Sequence, residues 1–175
     1  MSLLIDRIAH ETGTIILVSD GRSLRALDYD EYEPRMMRLL RARCEDVRLV
    51  ERDDPQGFSS RLRAYLAGAL DAIEAIPVET GGTPFQQRVW QALRTIPAGS
   101  TRSYGALAAL LGQAGASRAV GHANSLNPVA IVVPCHRVVG ANGKLTGYAG
   151  GIERKRWLLA HEGASLDLPP RRPAA

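Results

Sequence analysis

Apolar positions change period along the first half of the chain. Thr14-Ile15-Ile16-Leu17-Val18-Ser19 and Leu24-Arg25-Ala26-Leu27-Asp28 are β-type runs on either side of the turn Asp20-Gly21-Arg22, a pattern that predicts a hairpin. After Pro34 the spacing turns helical. Met36, Leu39 and Leu40 predict a first helix, and Leu62, Tyr65, Leu66 and Ala69 share one face of a second over Ser59 to Leu70. The Met36-Met37 pair reads as core filling.

Pro77-Val78-Glu79-Thr80-Gly81-Gly82 is a turn-rich connector. In Thr83-Pro84-Phe85-Gln86 a threonine N-cap, a proline at the first helical position and a glutamine at the third form a capping box. The helix it opens carries Phe85, Val89, Trp90 and Leu93 inward and stops near Pro97-Ala98-Gly99. Two short helical patterns follow, Ser103 to Leu111 and Ala116 to Ser125, separated by Gly112-Gln113-Ala114-Gly115, which is the spacing of a helix-turn-helix. The second is thin, with Ser117, Ala119, Gly121 and Ala123 around Arg118. A helix so bare needs a close neighbour, either packing inside the protein, which is the safer reading on pattern alone, or a minor groove too narrow for ordinary side chains. Val129-Ala130-Ile131-Val132-Val133 reads as a buried strand, Gly140 to Gly151 as a glycine-rich loop, and Ile152 to Glu162 as a last helix capped by Gly163. Leu168 to Ala175 is too rich in proline to pack and predicts a disordered end.

The halves differ in charge. Residues 1–84 hold 11 Lys/Arg against 15 Asp/Glu, whereas residues 85–163 hold 9 against 2, Glu153 and Glu162. A basic second half suits a polyanionic partner, although a solvated basic face would look the same. Cys44 and Cys135 stand far apart, so neither a disulfide framework nor a four-ligand zinc site follows, and a reducing, cytoplasmic setting fits. No uncharged stretch is long enough to span a bilayer.

Candidate chemistry gathers at Pro134-Cys135-His136-Arg137-Val138. A thiol beside a histidine and an arginine lies in positive potential that lowers a cysteine pKa, which makes Cys135 a candidate nucleophile. A buried small hydrophobe is the other reading, and the pentapeptide leaves both open. Glu162 sits where a carboxylate meets the negative end of a helix dipole, an arrangement unfavourable by about 0.3–1 kcal/mol. His136 is the natural partner to offset this, because a carboxylate that orients a histidine improves it as a base. An exposed helix-end glutamate is the commoner alternative.

Residues 83–163 resemble the catalytic half of the O6-alkylguanine-DNA alkyltransferases, the methylated-DNA–protein-cysteine methyltransferases. The resemblance is carried by Thr83-Pro84-Phe85-Gln86, Ser103-Tyr104-Gly105, Ser117-Arg118-Ala119-Val120-Gly121, Asn127-Pro128, Pro134-Cys135-His136-Arg137-Val138, Thr146-Gly147-Tyr148-Ala149-Gly150-Gly151 and Trp157-Leu158-Leu159-Ala160-His161-Glu162-Gly163. The first half resembles the constitutive bacterial Ogt type through Glu31-Tyr32-Glu33 and Gly81-Gly82-Thr83-Pro84-Phe85.

The resemblance implies an α+β fold: a small antiparallel N-terminal sheet with helices, ribonuclease H-like, over residues 1–78, a connector over 79–84, and a mainly helical domain with a helix-turn-helix over 85–163, leaving 164–175 as the tail. It implies irreversible transfer of an alkyl group from O6-alkylguanine, and from O4-alkylthymine, in duplex DNA to Cys135. His136 would be a base acting through water, Glu162 its support, Tyr104 the donor to the leaving guanine and Asn127 the brace of the turn. Arg118 would intercalate where the flipped base leaves the stack, with Tyr104, Ser117, Ala119 and Gly121 against the minor groove, and Tyr148, Ala149 and Gly150 would line the lesion pocket. No cofactor, metal or membrane is implied; the partner is double-stranded DNA and the chain a monomer, with clustering on DNA left open. A lesion binder lacking the acceptor cysteine, a helix-turn-helix regulator reading the major groove, and a Cys-His hydrolase are the rivals. Cysteine at 135 and the bare helix around Arg118 disfavour the first two.

Overall fold

A computed structural model describes residues 1–166 of the chain. Its first part is a four-stranded sheet in the order β3-β2-β1-β4, built from β1 (Ser2–Ile8), β2 (Ile15–Ser19), β3 (Leu24–Tyr29) and β4 (Arg48–Glu51). β2 and β3 form the expected hairpin, whose turn is closed by Asp20 Oδ1 accepting from the backbone amides of Arg22 and Ser23. β1 pairs antiparallel with β2, but the edge strand β4 runs parallel to β1, so the sheet is antiparallel only across three strands. β2 is buried along its whole length. Ile16 and Val18 meet Leu3, Ile5, Met36 and Leu40 on one face, while Ile15 and Leu17 enter the larger core on the other.

Helix α1 (Glu33–Arg41) covers the smaller cluster, and α2 (Phe58–Leu66) the larger one. α2 ends four residues short of the expected Leu70, in a turn with Gly68 at positive φ. The larger core does not stop at the connector. Leu27, Tyr29, Leu62 and Tyr65 from the first half share it with Val89, Trp90, Leu93, Val129 and Leu158 from the second.

Helix α3 (Pro84–Leu93) starts at the anticipated capping box, with Thr83 Oγ1 accepting from the Gln86 amide and Gln86 Oε1 from the Thr83 amide. Trp90 is buried and donates through Nε1 to the Ala123 carbonyl at 2.9 Å, which draws α3 against the thin helix. Gly82 must be glycine, because a Cβ there would stand 2.7 Å from the Trp90 ring. The helix-turn-helix consists of α4 (Tyr104–Leu110) and α5 (Ser117–Ser125), with Ser103 capping α4 by accepting from the Ala106 amide. A two-residue parallel ladder joins β5 (Arg102–Ser103) to β6 (Val138–Val139), and α6 (Ile152–His161) closes the fold.

Val129–Val133 departs from the expected strand. The segment is buried, but it gives the sheet a single rung, Val129 against Leu27, and then reverses direction. Leu27 donates to the Pro128 carbonyl and accepts from the Ala130 amide, both at 3.0 Å, and Ile131 adopts φ +69° within the reversal. A tight turn surrounded by core demands apolar side chains on every side, the same pattern a central strand shows. The proline-rich segment from Leu168 lies outside the described residues.

Candidate active site

The reversal from Asn127 to Cys135 is held by side-chain amides. Asn127 Nδ2 donates to the Val133 carbonyl at 2.8 Å and its Oδ1 accepts from the Val129 amide at 3.0 Å, closing the loop on itself. Asn124, on α5, donates to the Cys135 carbonyl at 3.3 Å. Arg35 of α1 reaches across to the carbonyls of Ser125 and Asn127 while pairing with Asp28 at 2.8 Å. Helix, sheet edge and turn are thereby tied together immediately before the cysteine.

Cys135 opens a single turn of 3-10 helix with His136 and Arg137, and all three are buried. His136 Nε2 lies 2.8 Å from Glu162 Oε1. Glu162, the C-cap of α6, also receives the Arg137 guanidinium in a two-pronged contact, Nη2 to Oε1 at 2.8 Å and Nε to Oε2 at 3.0 Å. Tyr65 of α2 donates to the same Oε1 at 2.7 Å. Burial alone would raise the Glu162 pKa; the donors His136 and Arg137 outweigh it and hold the carboxyl well below the usual carboxylate range. The helix-end carboxylate thus finds the partner anticipated for it and two more.

With Glu162 ionised, His136 donates from Nε2, which leaves Nδ1 as the acceptor. That atom is buried with no hydrogen-bond partner among the described residues. Burial lowers the His136 pKa, against the pull of Glu162 and with help from Arg137 and Lys155, so the ring is held neutral. Its free lone pair can accept a proton.

Of the two readings of the pentapeptide, the thiol shows the burial and not the lowered pKa. Burial pushes the Cys135 pKa up, and Asn127, Lys155 and Arg35 only partly offset this. Arg137 adds little to the positive potential because its charge is spent on Glu162 and on the Ile96 carbonyl at 2.7 Å. Of the two cations that act on the sulfur, Lys155 has the larger effect and Arg35 the smaller. Lys155 is fully buried, donates to the carbonyls of Val138 at 2.6 Å and Thr146 at 3.3 Å, and is brought down by burial to about 8.

Tyr104 begins α4 directly after β5, so the β5–β6 ladder places it beside the segment that follows Cys135. Its hydroxyl accepts from Thr146 Oγ1 at 3.0 Å, and its ring lies 3.7 Å from where a Cβ on Gly121 would be. Arg118 and Ala119 are exposed on α5, with Ser117 and Gly121 half-buried, whereas Val120, Ala123 and Asn124 face inward. The inner side of the thin helix packs within the protein, with the Ala123 carbonyl under the Trp90 indole, while its outer face is bare around Arg118. Tyr148, Ala149 and Gly150 lead into α6. A Cβ on Gly150 would stand 2.8 Å from the Tyr148 ring, and the Tyr148 hydroxyl is buried without a partner among the described residues.

Tyr65 and Lys155 were not singled out from the sequence. Lys155 carries a signal, since it shares a helical face with Leu158, Leu159 and Glu162 and is the one cation placed among buried positions of α6. Tyr65 carries none, as its ring satisfies the apolar face of α2 and only its hydroxyl reaches the site. Among the described residues no three His, Cys, Asp or Glu side chains group as metal ligands would, and no helix is long and apolar enough to cross a membrane.

Two family domains account for nearly all of these residues. The ribonuclease-like domain of 6-O-methylguanine DNA methyltransferase matches residues 7–80, and the DNA-binding domain of the same family matches residues 84–164. A methylated-DNA–protein-cysteine methyltransferase of Shigella flexneri is 51% identical over 169 residues, covering 95% of this chain and 99% of that protein. Its counterpart in Salmonella typhimurium is 52% identical over the same shares of both chains. Among solved structures, the O6-methylguanine methyltransferase of Mycobacterium tuberculosis superposes with a TM-score of 0.77 at 42% identity, covering 99% of this chain and 96% of its own. A structure of the Mycobacterium tuberculosis OGT in complex with DNA gives the same score and identity over 93% of both chains.

Proposed function

The chain belongs to the 6-O-methylguanine DNA methyltransferase family, and from that premise we propose that Cys135 is the acceptor in a reaction that each molecule performs once. The activity is that of a methylated-DNA–protein-cysteine methyltransferase, a DNA-binding repair protein that reverses O6-alkylguanine directly.

The observation that carries the assignment of roles is the neutral His136, the residue after Cys135 in the chain, bonded through Nε2 to a buried ionised Glu162 and left with a buried, unpartnered Nδ1. A thiol raised by burial needs a base at the moment of attack. His136 Nδ1 takes the proton through a water, and Lys155 stabilises the thiolate that forms. Sulfur then attacks the alkyl carbon in line. The S–C bond forms as the C–O6 bond breaks, with its electron pair remaining on the guanine. Tyr104 donates to the leaving guanine, lowering the cost of its negative charge. A thioether offers no leaving group, so the product is dead-ended and no cofactor enters.

A guanine stacked in a duplex hides its O6 carbon, so the base must leave the stack to reach a buried sulfur. Arg118 fills the vacated space, while Ser117, Ala119 and Gly121 let α5 approach the minor groove closely. Tyr148, Ala149 and Gly150 line the pocket that receives the base, and Asn127 keeps the turn from moving the sulfur. The chain works as a monomer on double-stranded DNA. Residues 1–78 serve as support, 79–84 as connector and 85–163 as the part that reads DNA and reacts.

The test is Cys135→Ser. The variant should hold alkylated duplex as tightly as the parent and leave the lesion intact, while peptide mapping of reacted parent protein should place the alkyl group on Cys135. Alkyl group recovered on Cys44 or on another side chain would refute the assignment.

A further inference from the structure

Two consecutive residues at the end of α6 hold opposite ends of Tyr65. His161 donates from Nε2 to the Tyr65 backbone carbonyl at 2.7 Å, and the Tyr65 hydroxyl donates to Glu162 Oε1 at 2.7 Å. The ring between them is fully buried and meets the His161 ring edge-on, centroids 5.3 Å apart. A residue of the first half is thereby fixed, by backbone and side chain together, against the carboxylate that supports His136.

We propose that Tyr65 is a positioning residue for alkyl transfer, whose hydroxyl shares Glu162 Oε1 with His136 Nε2 and so sets how strongly the carboxylate pulls on the imidazole. This rests on the reading of His136 as the base. Oε1 accepts from three donors, Tyr65, His136 and Arg137, whereas Oε2 accepts from Arg137 Nε. Each donor draws off negative charge and leaves less for the others. With the tyrosine in place, His136 stays the weaker, neutral base. Without it, carboxylate charge concentrates on the Nε2–H and favours the imidazolium, which cannot accept the thiol proton.

The other charged groups that act on His136 are Arg137 beside it and Lys155 from α6, both opposing its protonation. Tyr65 remains a donor throughout, since burial and then Glu162 push its phenol far above the ordinary range.

The experiment measures the pH dependence of single-turnover alkyl transfer and, separately, the titration of the His136 ring by NMR, using the full chain. Three proteins are compared: the parent, Tyr65→Phe, and a chain with 3-fluorotyrosine at position 65 alone. Tyr65→Phe should move both the His136 midpoint and the acid limb of the rate profile upward by on the order of half a pH unit, as expected for a carboxylate losing one of its donors. The fluorinated ring has nearly the same shape and is a stronger donor, so it should move both downward. Midpoints that stay in place, or that move the same way in both variants, overturn the proposal. Should Tyr65→Phe fail to fold, the fluorinated chain decides alone, a downward shift supporting and no shift overturning. An NMR midpoint that moves while the rate profile does not would overturn His136 as the base instead, and with it any part for Tyr65 in the reaction.

Discussion

Burial and nearby polar groups act on the Cys135 sulfur in opposite directions, and burial prevails, so the thiol is protonated until a base removes its proton. Lys155 is the cation best placed to steady the resulting thiolate, being fully buried and bonded only to carbonyls. Lys155→Met, similar in length and uncharged, should raise the thiol pKa further and slow single-turnover transfer about tenfold at neutral pH, roughly one pKa unit of lost stabilisation. Rapid-quench kinetics would read this, and an unchanged rate would remove Lys155 from the reaction. The same lysine leaves a mark on stability. It releases its proton near 8 in the folded chain and near the ordinary 10.5 when unfolded. Between those values the unfolded chain binds more protons, so this group makes stability rise with pH. Urea unfolding at pH 7.5 and 9.5 should show a gain in the parent relative to Lys155→Met; no difference between the two proteins would contradict the buried ammonium.

Among the elements, the turn from Asn127 to Cys135 is where the chemistry is positioned. Asn127→Ala removes two buried hydrogen bonds, to Val133 and from Val129, and should cost about 2 kcal/mol of stability. It should also slow transfer under conditions where the variant is fully folded, because the sulfur follows the turn. A destabilised variant with the parent's rate would make Asn127 structural alone. This turn also marks the limit of what was legible in the chain. The β2–β3 hairpin, the capping box at Thr83 and the helix-turn-helix all announce themselves through local rules, as turn residues, a cap or a change of period. The reversal at Val129–Val133 does not, since a buried turn and a central strand require the same apolar side chains. Cys135, His136 and Glu162 could be picked out as candidates because a reactive or charged group is costly among hydrophobic neighbours, but their neighbours in sequence left each open and the family resemblance supplied their roles. Tyr65 could not, because a tyrosine on an apolar helix face looks satisfied there.

In the molecule as a whole, the two halves divide charge but share one core. Arg154 stitches them further, lying 4.0 Å over the Tyr29 ring, donating to the Thr12 carbonyl at 2.8 Å, pairing with Glu31 and reaching the Gly150 carbonyl at 3.2 Å. The first half therefore holds α6 through Arg154 and the Glu162 carboxylate through Tyr65. The basic second half presents Arg118 on the bare outer face of α5, and Arg118→Ala should slow repair of a duplex far more than reaction with a free alkylated base. Equal losses on both substrates would contradict intercalation. Association with DNA should weaken steeply as salt rises, because cations on the protein displace counterions from phosphates.

Intact-mass measurement after incubation with excess O6-methylguanine duplex tests whether one sulfur per chain keeps the alkyl group permanently. The expected result is a single methyl group added to every chain, an equal number of lesions repaired, and no further repair afterwards. Repair continuing past one lesion per chain, or repair that leaves the protein mass unchanged, would contradict the account.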